Sequence, residues 1–186
     1  MIYVLFLTAC ANQAKKPEVV VLKPQTTAPV LTAIHQAEYQ TGLEMIKSKS
    51  FAQAQTIFSS LTKTYPNLAG AYVNLAIINI AKSDEQLAEQ HINKAIEINP
   101  NNVDALIQLA NWSQKKGEFK KVERYLLTAE AADSSNETVQ YNLAVLYELY
   151  LQRFDDAIDH YENYVALTTS DDKETVKRWI KLLERK

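Results

Sequence analysis

Glycine is scarce in this chain, and its scarcity excludes several kinds of protein. Only three of the 186 residues are glycine, at Gly42, Gly70 and Gly117. All-β folds depend on tight turns in which glycine tolerates positive φ, so an all-β fold is disfavoured. These glycines cannot form a GxGxxG or GxxxxGKS/T sequence, and this excludes a glycine-rich phosphate-binding loop.

Cysteine is nearly absent, and charge of neither sign predominates. The single cysteine, Cys10, excludes an intrachain disulfide framework. Twenty Lys and Arg residues against 22 Asp and Glu residues leave a net charge of -2. This balance does not provide the strong basic patch that nucleic-acid binding needs. Hydrophobic residues make up 47% of the chain, which is enough for one continuous core.

Clusters of catalytic or metal-ligating residues are also missing. His35, His91 and His160 are far apart in the sequence, and no HExxH or CxxC motif occurs. His91 and His160 are expected to be exposed or to cap a helix. The acidic pairs at 155–156 and 171–172 are adjacent residues, which do not face each other on a helix and which suit helix N-termini. The sequence predicts no enzyme, no cofactor, no metal and no small-molecule substrate.

The first ten residues form an apolar run that ends in the only cysteine. The run is shorter than the roughly 20 residues that span a bilayer, but it fits the signal-peptide core of about 7–15 residues. Leu7-Thr8-Ala9-Cys10 resembles the lipobox of bacterial lipoproteins. The resemblance implies a signal peptide over residues 1–9, lipid on Cys10 and, since Ala11 follows, anchoring to the periplasmic face of the outer membrane. No Lys or Arg precedes the run, so an ordinary apolar N-terminus with an unmodified cysteine is the alternative.

Residues 10–34 are predicted to be a flexible linker. Pro17, Pro24 and Pro29 interrupt helical continuation. About 20 flexible residues would keep a folded domain within roughly 25 Å of its anchor on average.

From residue 35 onward the sequence repeats with a period of 34 residues. The segment 72–76, Tyr-Val-Asn-Leu-Ala, is echoed by Leu-Ile-Gln-Leu-Ala at 106–110 and by Gln-Tyr-Asn-Leu-Ala at 140–144. Pro66 and Pro100 are also 34 residues apart. This period is that of the helix–turn–helix unit of tetratricopeptide repeats (TPR), and the chain resembles that family.

Four units can be laid out as 35–68, 69–102, 103–136 and 137–170, the last with one extra residue expected in the turn near 152–153. Small residues are expected where the two helices of a unit approach each other, and a bulky residue lies one turn later. These positions are Gly42, Ala76, Ala110 and Ala144 in the first helices, Ala54, Ala88 and Ala157 in the second helices, with Val122 as the exception to the small residues, and the bulky Phe58, Ile92, Leu126 and Tyr161. The resemblance implies an all-α, right-handed superhelical solenoid of about four TPR units.

Residues 171–186 are predicted to form a helix that caps the solenoid. Asp171 and Glu174 resemble a capping box. An apolar stripe follows at Val176, Trp179, Ile180 and Leu183, which would cover the open end of the stack.

In the TPR family the first helices line a concave groove that binds partners. The resemblance places in it Tyr39, Leu43, Val73, Asn74, Ile77, Ile107, Gln108, Asn111, Tyr141, Asn142 and Val145. Asn74, Gln108 and Asn142 form a row of amides that could hold the backbone of an extended peptide. The alternative is that these amides are only tolerated on partly exposed helices. The positions where chaperone-binding TPR proteins carry Lys or Arg hold Tyr39, Asp104 and Gln108, so a carboxylate clamp is not expected.

Two functional hypotheses follow from these patterns. The first is a lipid-anchored protein–protein interaction scaffold in the periplasm, which docks a partner's peptide or helix and resembles pilus-assembly or envelope adaptor lipoproteins. The second is a structural subunit without a lipid anchor, which oligomerises or sits in a larger complex.

Overall fold

The computed structural model describes residues 28–185, and this part of the chain is helical and contains no strand. The predicted signal peptide, Cys10 and most of the predicted linker lie outside the described residues. Between residues 28 and 185 the helices are α1 (Ala33–Lys47), α2 (Phe51–Thr64), α3 (Ala69–Ala81), α4 (Glu85–Ile98), α5 (Val103–Lys115), α6 (Phe119–Ala132), α7 (Glu137–Val145), a π-helical segment (Leu146–Leu151), α8 (Phe154–Leu167) and α9 (Lys173–Leu183).

Consecutive helices pack as hairpins: α1 with α2, α3 with α4, α5 with α6, and α7 with α8. Each hairpin also contacts the first helix of the next one, which produces a continuous stack. The expected all-α repeat solenoid is confirmed.

Polar side chains define where several of these helices begin. At the start of these helices a capping residue uses its side-chain oxygen to accept a hydrogen bond from the backbone N–H three residues later. This bond satisfies a donor that has no partner within the helix. The capping residues are Thr32, Asp84, Asn102 and Asn136.

The small and bulky positions of the repeat form the core, as expected. All twelve of these residues are buried. In the first unit the contact is especially close, because a Cβ atom on Gly42 would lie 2.7 Å from Cζ of Phe58. A side chain at position 42 would therefore force the Phe58 ring to move, whereas alanine is accommodated in the other three units.

The turn inside each unit has one residue with a left-handed backbone, two positions before the first residue of the second helix. Three of these residues are 34 apart, and the fourth is 35 residues after the third. They are Lys49 (φ 59°), Ser83 (φ 61°), Gly117 (φ 73°) and Gln152 (φ 52°). The turn itself is thus the same in all four units.

The extra residue of the fourth unit lies in the π-helical segment, so its expected placement in the turn near 152–153 was wrong. In the first three units the backbone N–H that opens the second helix bonds to the carbonyl five residues earlier. In the fourth unit Arg153 N–H instead bonds to the carbonyl of Tyr147, six residues earlier, at 2.9 Å. A π-helix takes more residues per turn than an α-helix, and so it accommodates the insertion without disturbing the turn.

A largely buried polar network holds the π-helical segment against α6. The Arg153 guanidinium donates to Oε1 of Glu123 at 2.7 Å and to Oδ2 of Asp156 at 2.8 Å. The Tyr147 hydroxyl donates to the same Glu123 oxygen at 3.1 Å, and the guanidinium lies 4.4 Å from the centre of the Tyr147 ring. Burial, reinforced by the Glu123 charge, raises the pKa of Tyr147.

Helix α9 packs on α8 and covers the end of the stack. Val176, Ile180 and Leu183 are buried, and the half-buried Trp179 lies 6.0 Å from the Tyr161 ring, centre to centre. The expected apolar stripe is therefore the packing face of this helix.

The capping box expected at Asp171 and Glu174 is not formed. The helix begins after Asp172, whose carboxylate accepts a hydrogen bond from the Tyr164 hydroxyl at 2.9 Å and makes no capping bond to the helix. Glu174 pairs with Lys177 at 2.6 Å instead. Asp172 thus ties the start of α9 to α8 through Tyr164.

Candidate binding face on the first helices

The first helices of the four units, α1, α3, α5 and α7, present one surface, which we call the first-helix face. Helix α1 contacts α3, and α3 contacts α5. All eleven residues that the sequence assigned to a groove lie on these four helices. The structure separates them into packed residues and accessible ones.

Three of the eleven are buried in the core. Val73 is 2% exposed, Asn74 is 7% exposed and Ile107 is 8% exposed. Nδ2 of Asn74 donates to the Gly70 carbonyl and to the Tyr39 hydroxyl, both at 2.9 Å. Asn74 therefore fastens α1 to α3, and its donors are not available to a peptide backbone as the three-amide hypothesis requires.

Tyr39 is half-buried between the first two units. Its ring packs edge-on against Phe58, with centres 5.3 Å apart, and a Cβ on Gly70 would lie 2.7 Å from its hydroxyl. Burial raises the pKa of Tyr39, which the hydrogen bond from Asn74 partly offsets. Leu43 is half-buried against the core formed by α2 and α3, and Ile77 is half-buried against the core formed by α3, α4 and α5. This end of the first-helix face is thus apolar and well packed.

Tyr141 faces α8 more than it faces a groove. Its ring centre lies 5.2 Å from that of Tyr164 and 6.1 Å from that of Tyr161. Burial and the nearby Asp172 charge raise its pKa. The three rings form an aromatic cluster between α7 and α8.

The accessible part of the first-helix face is centred on α5. A depression of about 500 Å³ lies there, between α3, α5 and the π-helical segment. Its lining residues are Ile80, Gln108, Asn111, Trp112, Gln114, Lys115 and Tyr150. A narrow cleft of about 20 Å³ adjoins it and brings Asn142 and Val145 next to Asn111 and Gln114.

Sequence reasoning found Gln108 and Asn111 but missed the other five lining residues. Trp112, Gln114 and Lys115 belong to the last turn of α5, beyond the positions that the family pattern assigns to a groove. Tyr150 was not predicted because it lies in the π-helical segment, where the 34-residue period does not indicate which way a side chain points. A scan for aromatic residues near the ends of the first helices would have found both rings.

Two histidines have structural roles. Nδ2 of Asn79 donates to Nδ1 of the half-buried His91 at 2.9 Å, and burial lowers the pKa of His91. His160 was expected to be exposed or capping, but it is buried, and its Nδ1 lies 2.7 Å from Oε1 of Gln140. The Tyr147 ring stacks on His160, with ring centres 5.4 Å and planes 25° apart, and helps to cover it.

Neither a metal site nor a membrane-spanning helix is found between residues 28 and 185. In that range no three His, Cys, Asp or Glu side chains are grouped so as to hold a metal ion. Nor does any helix there have both the length and the apolar character that crossing a bilayer needs.

Three solved structures with a similar fold can be compared with the chain. The structure titled as the functional characterization of Pseudomonas aeruginosa pilF has a TM-score of 0.69 at 19% identity, covering 81% of this chain and 69% of that one. A thermophilic TPR protein of Thermus thermophilus has a TM-score of 0.65 at 20% identity, covering 82% of each chain. MamA of strain AMB-1 has a TM-score of 0.58 at 18% identity, covering 82% of this chain and 81% of that one. At these identities the likeness shows the fold.

The sequence itself matches a family of helical repeats. No curated protein matches it. Residues 69–183, more than half of the chain, match the family model described as the TT21 fifth ARM repeats domain. With its hairpin stack and its 34-residue period, the chain belongs to this family of helical repeats and is a tetratricopeptide-repeat protein.

Proposed function

We propose that this protein is a lipid-anchored interaction scaffold on the periplasmic face of a bacterial outer membrane. It docks an extended peptide or a helix of a partner protein on its first-helix face and serves in pilus or envelope assembly. TPR stacks typically act as scaffolds for protein–protein interaction, which is the general class to which this function belongs.

The observation that carries the docking part is the depression on α5. Its lining comes from three successive units and combines two aromatic side chains with three amides. Such a mixture suits a peptide, whose side chains bury apolar area while its backbone needs both donors and acceptors. Within residues 28–185 the Gln108 and Asn111 amides have no hydrogen-bond partner of their own.

The anchoring part is supported by the sequence of the N-terminus. The apolar run at residues 1–9 ends in small residues and then in Cys10, the only cysteine of the chain. A lipid on that cysteine would anchor the chain with a strength that grows with the number of buried methylenes. Cys10 lies outside the described residues, so this part rests on sequence alone.

Anchoring is tested by fractionating the membranes of a Gram-negative host that expresses the full gene with its upstream region. With a fatty-acid analogue present, wild type is expected to be labelled and to sediment with the outer membrane, whereas Cys10→Ser should be unlabelled and soluble. If wild type is not labelled, the lipoprotein proposal is wrong and the second hypothesis, an unanchored structural subunit, takes its place.

Docking is tested by placing a photo-crosslinking residue at Asn111, which is exposed on α5. The matched control is Gln90, which is exposed on the second helix α4. We expect Asn111 to crosslink to one partner and Gln90 not to do so. Crosslinks between two copies of this chain would instead indicate an oligomeric subunit, and equal crosslinking from both positions would contradict a first-helix binding face.

A further inference from the structure

We propose that the depression on α5 is an anchor pocket for a large apolar side chain of the partner, preferably aromatic, that lies next to a carboxylate in an extended segment. This inference rests on the proposed docking function and specifies what is docked. Three features support it: the position of Tyr150, the floor of the pocket and the charges around it.

The π-helical insertion creates one wall of the pocket. Tyr150 lies in that segment, and its ring stacks on Phe119 with centres 4.5 Å apart and planes 28° apart. Its hydroxyl accepts a hydrogen bond from Nε2 of Gln114 at 3.0 Å. Because each residue of an α-helix turns by about 100°, absorbing one extra residue redirects the side chains that follow. The π-helical segment thus carries an aromatic ring that lies beside α5.

The same insertion leaves Tyr150 fixed but accessible. It is 41% exposed even though one face of its ring and its hydroxyl are occupied. A ring that is already held in place loses little conformational entropy when a ligand packs on it, which makes it a good binding surface. Its neighbour Leu149 is 62% exposed but does not line the pocket.

The floor of the pocket is formed by the last two turns of α5. Trp112 contributes the second aromatic side chain, with Nζ of Lys116 lying 5.3 Å from the centre of its ring. Ile80 of α3 also lines the pocket. The volume of about 500 Å³ falls within the roughly 300–1,000 Å³ that ligand pockets occupy. An aromatic or large aliphatic side chain therefore finds apolar lining residues from three successive units.

The polar groups of the pocket favour a carboxylate beside that side chain. Among the residues that the structure describes, Lys115 is the only charged side chain of the lining, so no acidic side chain of that lining opposes it. The amides of Gln108 and Asn111 add donors on the same face of α5. An acidic group is attracted to this arrangement and a second cation is repelled, which sets the sign of the partner's charge next to the anchoring residue.

The pocket is tested with a phage-displayed library of random octapeptides, selected on the folded chain. We expect the selected peptides to contain Phe, Tyr, Trp or Leu with Asp or Glu within two positions.

A synthetic copy of the best peptide should lose at least tenfold in affinity for Tyr150→Ala, while Leu149→Ala should bind it like wild type. Lys115→Glu should weaken binding, and replacing the peptide's acid by Lys should restore it. A Trp179→Phe variant makes Trp112 the only tryptophan, and its fluorescence should change on peptide binding.

Failure of this inference can be told apart from failure of the docking function. The peptides could bind wild type and Tyr150→Ala with equal affinity but lose affinity for Asn142→Lys. In that case the partner uses the first-helix face without this pocket, so the inference is overturned while the docking function remains. If no peptide is selected, the inference is also overturned, and the crosslinking from Asn111 then decides whether the docking function remains.

Discussion

At the scale of single residues, the turns of the four units repeat a left-handed backbone without repeating glycine. Only Gly117 has the residue that this conformation favours, whereas Lys49, Ser83 and Gln152 adopt it with a side chain. A non-glycine residue in this region has its Cβ close to the following carbonyl oxygen, at a cost of roughly 1–2 kcal/mol. Three of the four turns are thus held by the packing of the helices on either side.

Glycine in these turns is expected to stabilise the protein. Ser83→Gly should raise the free energy of unfolding by about 0.5–1 kcal/mol, because it relieves the left-handed strain at an exposed position. Gly117→Ala should lower it by about 1 kcal/mol through the backbone, since no atom of the described residues lies within 4 Å of the added Cβ. Urea unfolding measures both. Ser83→Ala is the control, with an expected change below about 0.5 kcal/mol, and a stabilising Gly117→Ala would contradict the argument.

At the scale of elements, the π-helical segment owes its position to contacts with a different unit. Arg153 is 30 residues from Glu123 in sequence, and the two are joined at 2.7 Å across the interface of α6 and the fourth unit. The Glu123 side chain is only 11% exposed, while that of Arg153 is 33% exposed. Loss of the partner therefore costs more free energy at the buried carboxylate than at the guanidinium.

Arg153→Met is expected to lower the free energy of unfolding by about 2 kcal/mol, less than for a fully buried pair because Arg153 is partly solvated. Unfolding in urea checks this value. Glu123→Gln in the same background should recover part of the loss, since it removes the charge that lacks a partner. Lys121→Met breaks the exposed pair with Glu118 and should change stability by less than about 0.5 kcal/mol. If Arg153→Met and Lys121→Met lowered the free energy of unfolding equally, burial of the ion pair would not matter here.

At the scale of the whole molecule, the stack has an end that must be covered. In a repeat protein each unit contacts only its neighbours, so the last hairpin would expose the surface that a next unit would bury. Helix α9 covers it with three buried aliphatic residues and Trp179, and the Tyr164–Asp172 hydrogen bond fixes where α9 begins.

Removing residues 171–186 is expected to destabilise the protein by about 3–5 kcal/mol, at roughly 1.5 kcal/mol or more for each buried aliphatic side chain. Thermal unfolding followed by circular dichroism should show a lower midpoint, and binding of a hydrophobic dye should increase. Removing only residues 184–186 is the control, because Glu184 and Arg185 are exposed and little should change. A truncated chain that melts at the wild-type midpoint would mean that α9 does not act as a cap.

The sequence alone was enough to establish the repeat architecture of this protein. The 34-residue period, the small residues of the first and second helices and the bulky residue such as Phe58 are local patterns, and each unit buries the same positions against its neighbours. Hydrophobic burial at a regular spacing therefore determines the hairpin stack, and the apolar stripe of α9 determines the cap.

Only the tertiary structure decided how the first-helix face is used. Whether an amide such as Asn74 faces a partner or holds Tyr39 depends on distances between units that the sequence pattern does not contain. The site of the inserted residue was equally undetermined, because a turn and a π-helix can both absorb one residue. The contacts of Arg153 with Glu123 and of Tyr150 with Phe119, about 30 residues apart in sequence, accompany the π-helix and place an aromatic wall in the groove. Such choices depend on side chains from separate units meeting in space, which no local pattern records.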